Sequence, residues 1–404
     1  MKKILLLGTL LQMLCISCSH KNPVKVPKKF RSLKNLKVYS LTNQHPDTMR
    51  LHRQQVFGNT DRHPLGHVGP VAVDAAGRVY IADDKQNDIN VYKPNGQFTN
   101  QLGRKGKGPG EFQDIWDMKI HSTHLYVLDA QLFRISIFDL HIFQYINSYN
   151  LSFEGRQNVP PWWSRTQKKG LSYQPHHLYM RPDGSFLVLF SDNNVARPNN
   201  IEGRTYEASI FSPTQDNYID TANDLLSFRW TGQVLVHKEK RGMIVLFGVP
   251  YKPSSIFDFK NGTFVVGWSK RMLFKFYNQN LAYQRSVYYP YSNVPFHLKD
   301  ALTYYYKQAP KSIIRAIRSD SLPQKWPAFN ALKLDDKGRL WVSTIVKNMK
   351  VYQWWVLSPK GKLLARFRWP RSKQIEVIKN GSIYTKEKTK KGVPQVVRYK
   401  IQMQ

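Results

Sequence analysis

Short apolar segments separated by turn residues fill the stretch from residue 66 to residue 110. Four such segments cover residues 71–74, 78–83, 89–93 and 97–102, and the sequences AAG, DDKQND and KPNG separate them. Segments of this length that are rich in Val, Ile and Tyr are typical of β-strands joined by tight turns. The pattern therefore predicts one four-stranded antiparallel sheet.

The same pattern recurs along the rest of the chain, with further copies that begin near residues 115, 177, 255, 329 and 374. A sheet this small becomes stable only when both of its faces are buried against neighbouring sheets. The repeat therefore predicts six small sheets around an axis. Glycines that tolerate positive φ recur in the turns. They are Gly77, Gly96, Gly184, Gly262, Gly338, Gly361 and Gly381.

Several segments fall outside the repeat. The sixth copy lacks an outer strand, whereas two short apolar segments, residues 36–41 and 54–57, precede the first copy. Because a closed ring leaves no exposed sheet edge, we expect one of these segments to complete the last sheet.

Two insertions, residues 154–174 and 291–327, are longer than hairpin turns. In the second insertion, HLKDALTYYYK and KSIIRAIRSDS predict short helices within residues 296–320 that cap one end of the ring.

Two kinds of motif carry a resemblance to a known family. GPVAVDAAGRVYIADDKQNDINVYKPNG and GRKGKGPGEF resemble an NHL-type repeat, with GxGPGEF at residues 106–112 and LPxxxPAFxxLxxDxxGxLWV at residues 322–342 as the specific parts. The whole chain resembles the six-bladed β-propeller lipoproteins that bacteria export. The resemblance implies an all-β fold, with six four-stranded antiparallel blades in a single domain over residues 36–404. It implies no particular reaction.

Residues 1–17 have the features of a signal peptide. The basic start MKK is followed by an apolar run, residues 4–14, that is too short to span a bilayer. The tetrapeptide CISC that ends at Cys18 resembles a bacterial lipobox, in which the last cysteine is acylated, although Cys15 stands where Leu is usual. Residues 18–35 are basic and poor in aromatic side chains, so we expect a tether without a core.

The two cysteines of the chain both lie in this leader. After cleavage Cys18 alone would remain, so no disulfide would stabilise the exported protein, and an acyl anchor accounts for the unpaired thiol. A plain secretory signal with an unused thiol is the open alternative. We expect a lipoprotein of the cell envelope that is attached through Cys18 to the outer membrane, on its periplasmic side.

The charge of the chain is strongly positive, because 61 Lys and Arg stand against 27 Asp and Glu, a formal net charge of +34. Such a charge attracts polyanions, and it is equally consistent with a solvated surface in a basic proteome. Nucleic acid, anionic lipid and acidic glycan are the polyanions to consider. The leader argues against access to cytoplasmic RNA, so we expect no nucleic-acid partner.

The sequence offers few catalytic motifs. It contains neither GxSxG nor SxxK. GRKGKGPG at residues 103–110 lacks the Lys-Ser/Thr end of a phosphate-binding loop and carries Pro109, so it predicts a tight turn between blades. Asp83 and Asp129 recur at the end of the second strand of their copies. A recurring carboxylate favours turn capping over catalysis.

A metal on the ring axis is the main enzymatic possibility, because some propellers related to the NHL type hold one there and act as lyases or hydrolases. Its ligands would come from the first residues of the inner strands. Those positions are Pro70, Asp117, His177, Ser255, Ala331 and Gln374. One His and one Asp do not form a three-imidazole site, although with His176 or His67 they could bind a metal weakly. We therefore predict no cofactor and keep a metal-dependent lyase or hydrolase as the alternative.

The function that we expect is that of a lipid-anchored binding or scaffold module, a monomer whose partner is an envelope protein or an anionic glycan. The predicted contacts are Trp116, Asp117, Trp162, Trp163 and His177. Two adjacent Trp in the loop PPWW are costly to expose without a purpose. The open alternative is that these Trp fill the end of the ring.

The anchor predicts a fractionation result. Cys18→Ala removes the acylated thiol, so the variant should appear in the soluble fraction of lysed cells while the wild type sediments with membranes. Immunoblotting of the two fractions measures this. A variant that still sediments would disprove the lipobox assignment.

Overall fold

Short β-strands and tight turns account for most of the described chain. The computed structural model describes residues 25–42, 45–60, 63–155, 159–168, 173–192, 205–213, 219–221, 226–229, 234–238 and 244–403. The predicted signal peptide, Cys18 and the first part of the predicted tether lie outside these residues.

Six small sheets, named blades 1 to 6 in chain order, each run from an inner strand at the ring axis to an outer strand. The strands ahead of them are β1 (Leu36–Val38), β2 (Asp47–Phe57), β3 (Asn59–Thr60) and β4 (His63–Pro64). From the axis outward, blade 1 consists of β5 (Val71–Val73), β6 (Val79–Asp83), β7 (Asp88–Tyr92) and β8 (Phe98–Leu102). Blade 2 consists of β9 (Ile115–His121), β10 (His124–Asp129), β11 (Arg134–Asp139) and β12 (Gln144–Asn150).

Blade 3 follows a helix, α1 (Pro161–Lys168), and two short strands share its outer position. Its strands are β13 (Tyr173–Met180), β14 (Phe186–Asp192), β15 (Thr205–Pro213), β16 (Ile219–Thr221) and β17 (Leu226–Arg229). A separate hairpin follows, made of β18 (Val234–Lys238) and β19 (Ile244–Gly248). Blade 4 consists of β20 (Ser255–Lys260), β21 (Thr263–Trp268), β22 (Leu273–Tyr277) and β23 (Tyr283–Tyr288).

Blade 5 follows two helices, α2 (Leu298–Tyr305) and α3 (Lys311–Arg318), which lie within the predicted residues 296–320. Its strands are β24 (Phe329–Leu334), β25 (Leu340–Ile345), β26 (Val351–Leu357) and β27 (Leu363–Pro370). Blade 6 contributes β28 (Gln374–Lys379), β29 (Ser382–Lys388) and β30 (Pro394–Met403).

The N-terminal strand β2 completes blade 6, as predicted. It pairs antiparallel with β30 from Met49, opposite Met403, to Phe57, opposite Val396. At its start, Asp47 also pairs with Ala365 of blade 5. The strand is longer than the predicted residues 54–57, because most of its side chains face solvent and give no apolar signal.

The other N-terminal segment has a different role. β1 adds a fifth strand, parallel to β23, at the outer edge of blade 4. Ahead of it, Phe30 is buried and its ring lies 5.4 Å from that of Tyr288. Packing against the ring therefore begins inside the segment predicted as a tether, because one aromatic side chain covers the outer edge of this blade.

The core consists of apolar clusters between neighbouring blades. Each of the six pairs of neighbours shares one cluster, including the pair of blades 6 and 1. In that last pair, Phe57 and Tyr384 belong to the same cluster as Val79 and Tyr92. The inner strands contact one another in a closed circle. The described chain is therefore a closed six-bladed ring, as the sequence predicts.

The insertions lie on one side of the ring. We call the face where the inner strands begin the upper face and the opposite one the lower face. The helices α2 and α3 cover a cluster at the upper end of blade 5 that includes Ala301, Ile317 and Trp326.

Among the described residues, no helix has the length and apolar character that a membrane crossing requires.

Asp83 and Asp129 cap turns, as their recurrence predicts. The Asp83 carboxylate accepts hydrogen bonds from the backbone N–H groups of Lys85 in the next turn and Gly66 in the preceding segment, at 3.0 and 2.5 Å. The Asp129 carboxylate accepts hydrogen bonds from the backbone N–H groups of Leu132 and Gln113, at 2.9 and 2.7 Å. Each carboxylate therefore fixes the chain where it enters and leaves the blade.

The glycine-rich segment 103–110 is a corner between blades 1 and 2. The Glu111 carboxylate accepts hydrogen bonds from the Gly108 N–H and from Arg104, at 2.9 and 2.8 Å. A Cβ added to Gly106 would lie 2.0 Å from a Glu111 carboxylate oxygen, so a larger residue there would displace this carboxylate. The protein's own carboxylate thus occupies the place that a phosphate would take.

Ring closure predicts a stability effect. Phe57→Ala removes a side chain that is 1% exposed between blades 6 and 1, and should lower the free energy of unfolding by about 3 to 5 kcal/mol. Val38→Ala, in the exposed edge strand of blade 4, serves as the control and should change it by less than about 0.5 kcal/mol. Urea unfolding measures both, and equal effects would contradict the closure role of β2.

Candidate functional site

Trp116, Asp117 and His177 lie together at the axis, where the inner strands β9 and β13 are neighbours. Nδ1 of His177 is 4.0 Å from Oδ2 of Asp117. The Asp117 carboxylate is engaged, because it accepts hydrogen bonds from the backbone N–H of Leu178 at 3.0 Å and from Lys119 Nζ at 2.6 Å. Asp117 therefore fixes the spacing of these two strands.

His176 and His177 are neutral imidazoles in an aromatic setting. The ring centroid of His176 lies 4.4 Å from that of Trp116 and 4.6 Å from that of His177. The His177 ring in turn lies 5.0 Å from the Phe257 ring. Burial lowers the pKa of His176 to about 4. Burial, reinforced by the positive charge of Lys119, also lowers the pKa of His177 well below its usual value. The two imidazoles are therefore uncharged and lie among aromatic rings, beside the ion pair of Asp117 and Lys119.

The residues considered for a weak metal site do not come together as a set. His67 lies away from this cluster, with its Nδ1 2.8 Å from Oδ2 of Asp84. In the part of the chain that the structure describes, no three His, Cys, Asp or Glu side chains are close enough to hold one metal ion. Asp117 and the two adjacent histidines are the members that remain side by side.

Trp162 and Trp163 lie on helix α1 in the core between blades 2 and 3. Trp162 is 1% exposed, and its Nε1 donates a hydrogen bond to Ser209 Oγ at 2.9 Å. The half-buried Trp163 has its ring 5.0 Å from that of Phe153. Trp162 thus fills the upper end of this interface and offers no exposed surface to a ligand. A ligand role for the five predicted residues stays a prediction.

A cavity of about 360 Å³ on the lower half of the axis was not predicted. Four of the six inner strands each direct a lysine into its wall: Lys119, Lys260, Lys333 and Lys379. Asp258, Asp336 and Glu376 lie among them. The sequence does carry a signal, because a lysine recurs near the end of the first strand in four of the six copies.

The four lysines differ in their partners. Two of them form ion pairs. Nζ of Lys119 lies 2.6 Å from Oδ1 of Asp117, and Nζ of Lys333 lies 3.8 Å from Oε2 of Glu376. Lys260 and Lys379, in contrast, donate hydrogen bonds to the backbone carbonyls of Ile378 and Val73, at 3.1 and 2.8 Å. Neither of these two forms an ion pair with a carboxylate among the described residues.

Burial sets the charge properties of this cavity. It lowers the pKa of Lys260, and burial together with the nearby Lys260 charge lowers the pKa of Lys379. Burial also raises the pKa of Asp258, whose carboxylate accepts the N–H of Leu334 at 2.7 Å. The two ammonium groups are therefore hydrogen-bonded to backbone carbonyls and not to carboxylates, although the nearby Asp258 and Asp336 partly offset their charge.

Six small β-sheets around an axial cavity define a propeller protein. Residues 58–229 match the model of a family described as a 6-bladed beta-propeller, and the chain is a six-bladed β-propeller. Among curated proteins, none matches the chain significantly.

Solved structures resemble the chain at low identity. A Bacteroides fragilis protein described as exported has a TM-score of 0.48 and 11% identity, over 91% of this chain and 99% of its own. A member of the duf4221 family from Bacteroides vulgatus has a TM-score of 0.48 and 12% identity, over 89% and 100%. Virginiamycin B lyase from Staphylococcus aureus has a TM-score of 0.40 and 11% identity, over 87% and 99%. None of these likenesses bears on activity.

The buried histidine predicts a pH dependence of stability. The folded protein keeps His176 neutral down to about pH 4, whereas the unfolded chain binds a proton near pH 6.5. Stability should therefore fall as the pH drops from 6.5 toward 4, by about 2 kcal/mol for this group between pH 7 and pH 5. His176→Gln removes the titrating group and should flatten this part of the curve. Urea unfolding at both pH values measures it, and identical pH slopes would contradict a buried neutral His176.

Proposed function

We propose that the protein is a lipid-anchored binding module of the cell envelope, and that its ring axis receives an acidic group of an envelope protein or an anionic glycan. The observation that carries the proposal is the set of four lysines on the axial cavity. These four lysines come from separate blades and outnumber the three carboxylates of the same wall, so the cavity carries a net positive charge.

Lys260 and Lys379 are the proposed anchors for the acidic group. Their ammonium groups donate hydrogen bonds to backbone carbonyls, and their pKa values are lowered because burial outweighs the attraction of the nearby carboxylates. An anionic group between them offsets that cost with charge-assisted hydrogen bonds. Asp258 and Glu376 on the same wall offer acceptors for hydroxyl groups. The cavity therefore suits an acid that also carries hydroxyls.

The leader supports the location in this proposal. Its lipobox-like sequence ends at Cys18, and the chain has no other cysteine outside the leader. Packing against the ring is present by Phe30, so few residues would separate the ring from an acylated Cys18. The ring would then stay close to the membrane surface. The described residues provide no observation that favours a metal-dependent reaction over binding.

The axial site predicts a specific loss of binding. In full-length protein purified in detergent, Lys260→Met combined with Lys379→Met should weaken binding of oligogalacturonate or polyglutamate by about tenfold or more, because the paired ammonium groups are lost. Isothermal titration calorimetry measures this.

The matched control is Lys360→Met with Lys362→Met, which removes the same charge from an exposed turn. This pair should change the affinity by less than about twofold. An equal loss in both double variants would show that only overall charge matters. Wild-type protein that binds neither probe would contradict the proposal.

A further inference from the structure

A second pocket, of about 380 Å³, lies between blades 5 and 6 toward the upper face. Ala331, Ser343 and Trp354 are cross-strand neighbours on β24, β25 and β26, and all three line it. In the next row on the same face, Lys333 and Trp341 stand in the places of Ala331 and Ser343 and are larger. The pocket therefore exists because two small residues stand where a filled interface between blades would need large ones.

Three polar atoms of the pocket-lining residues are buried and have no hydrogen-bond partner among the described residues. They are Ser343 Oγ, Trp354 Nε1 and Arg371 Nη2. Buried polar groups are nearly always satisfied, so an unsatisfied cluster around one cavity calls for an explanation. The indole and guanidinium groups can only donate. A molecule that satisfies this wall must bring acceptor oxygens.

The charge of the pocket points to an acid. Lys373 lies 3.2 Å from Glu387, and Lys333 lies 3.8 Å from Glu376, so a carboxylate accompanies each of these two lysines. Arg371 has no carboxylate partner among the described residues. Its Nε donates to the Val351 carbonyl at 3.1 Å, its Nη1 to the Tyr305 hydroxyl, and its guanidinium lies 4.3 Å from the Tyr352 ring centroid. Within the described part of the chain, the positive charge of Arg371 is therefore not balanced by an ion pair.

The rest of the wall suits a sugar ring. Trp354, Trp369 and Tyr352 provide aromatic surface, while Asn330 and Gln374 provide amide groups at the rim. Aromatic surface with a few polar groups is typical of small-molecule pockets, and a volume near 380 Å³ is at the small end of that class. Such a pocket admits one or two rings and excludes a folded polypeptide.

We propose that this pocket binds a carboxylated sugar unit, with Arg371 as the charge partner of the carboxylate and Trp354 Nε1 and Ser343 Oγ as additional hydrogen-bonding groups. The site goes beyond the axial site proposed above, because it uses different anchors. The two cavities share Lys333, so neighbouring units of one acidic glycan can occupy both. Each site can fail without the other.

The test uses full-length protein in detergent with monomeric galacturonate as the probe and galactose as its neutral counterpart. Galacturonate should shift the indole N–H signal of Trp354 in a ¹H–¹⁵N NMR spectrum, assigned with Trp354→Phe, and galactose should bind at least about tenfold more weakly. Equal binding of the two sugars, or no shift with galacturonate, would overturn the proposal.

Three substitutions separate recognition from folding. Arg371→Gln should weaken galacturonate binding by about tenfold or more, whereas Arg368→Gln, which removes a charge from an exposed position of β27, should leave it within about twofold. Ala331→Leu adds volume to the pocket while Arg371 and its partners Val351 and Tyr305 are retained, and it should abolish binding. Galacturonate binding that survives Ala331→Leu would overturn the assignment to this pocket.

Two further arms distinguish the sources of a carboxylate and the two cavities. The Lys260→Met, Lys379→Met double variant should retain the galacturonate-induced shift of Trp354, and its loss would show that the pocket is not a site of its own. A polyglutamate peptide should not shift the Trp354 signal. A peptide-induced shift that exceeds the one caused by galacturonate would overturn the sugar assignment.

Discussion

The hydrogen-bonded pairing of β2 with β30 is the constraint on which the rest of the structure depends. A single blade cannot bury its own two faces and needs a neighbour on each side. Each of the six apolar clusters is accordingly shared between two blades. With β2 in place, blade 6 gains its outer strand and Phe57 joins the cluster that connects it to blade 1. The first strand of the ring thus fixes the position of the last blade, and every inner strand has two neighbours.

Closure also determines the chemistry of the axis. Six inner strands run side by side around one line, so side chains at equivalent places in different copies converge on it. Lysines near the ends of four inner strands therefore line one cavity, although they are far apart in sequence.

The pocket between blades 5 and 6 does not arise from the repeat. It is a local departure from filled packing, where Ala331 and Ser343 leave room and Arg371 has no carboxylate partner among the described residues.

The sequence predicts the ring well because apolar period and turn chemistry are local signals. The strands of blade 1, the helices within residues 296–320 and the caps at Asp83 and Asp129 all follow from them. The site is less accessible to such reasoning. The sequence leaves open whether Trp162 contacts a ligand or fills the end of the ring, because exposure depends on how α1 packs, and in the structure its ring lies in the core between blades 2 and 3. Whether a buried polar atom such as Trp354 Nε1 has a hydrogen-bond partner depends on residues of other strands. A local sequence pattern does not contain that information.

The central claim is that the axis holds paired ammonium groups for an acidic ligand. NMR titration of ¹³C-dimethylated lysines measures the pKa of each ε-amino group directly. In the free protein, Lys260 and Lys379 should titrate below the exposed lysines, because burial lowers both pKa values and the charge of Lys260 lowers that of Lys379 further. Saturation with oligogalacturonate should raise both pKa values, since a bound carboxylate stabilises the charged form. Values that equal those of surface lysines, or that stay unchanged when oligogalacturonate binds, would contradict the account.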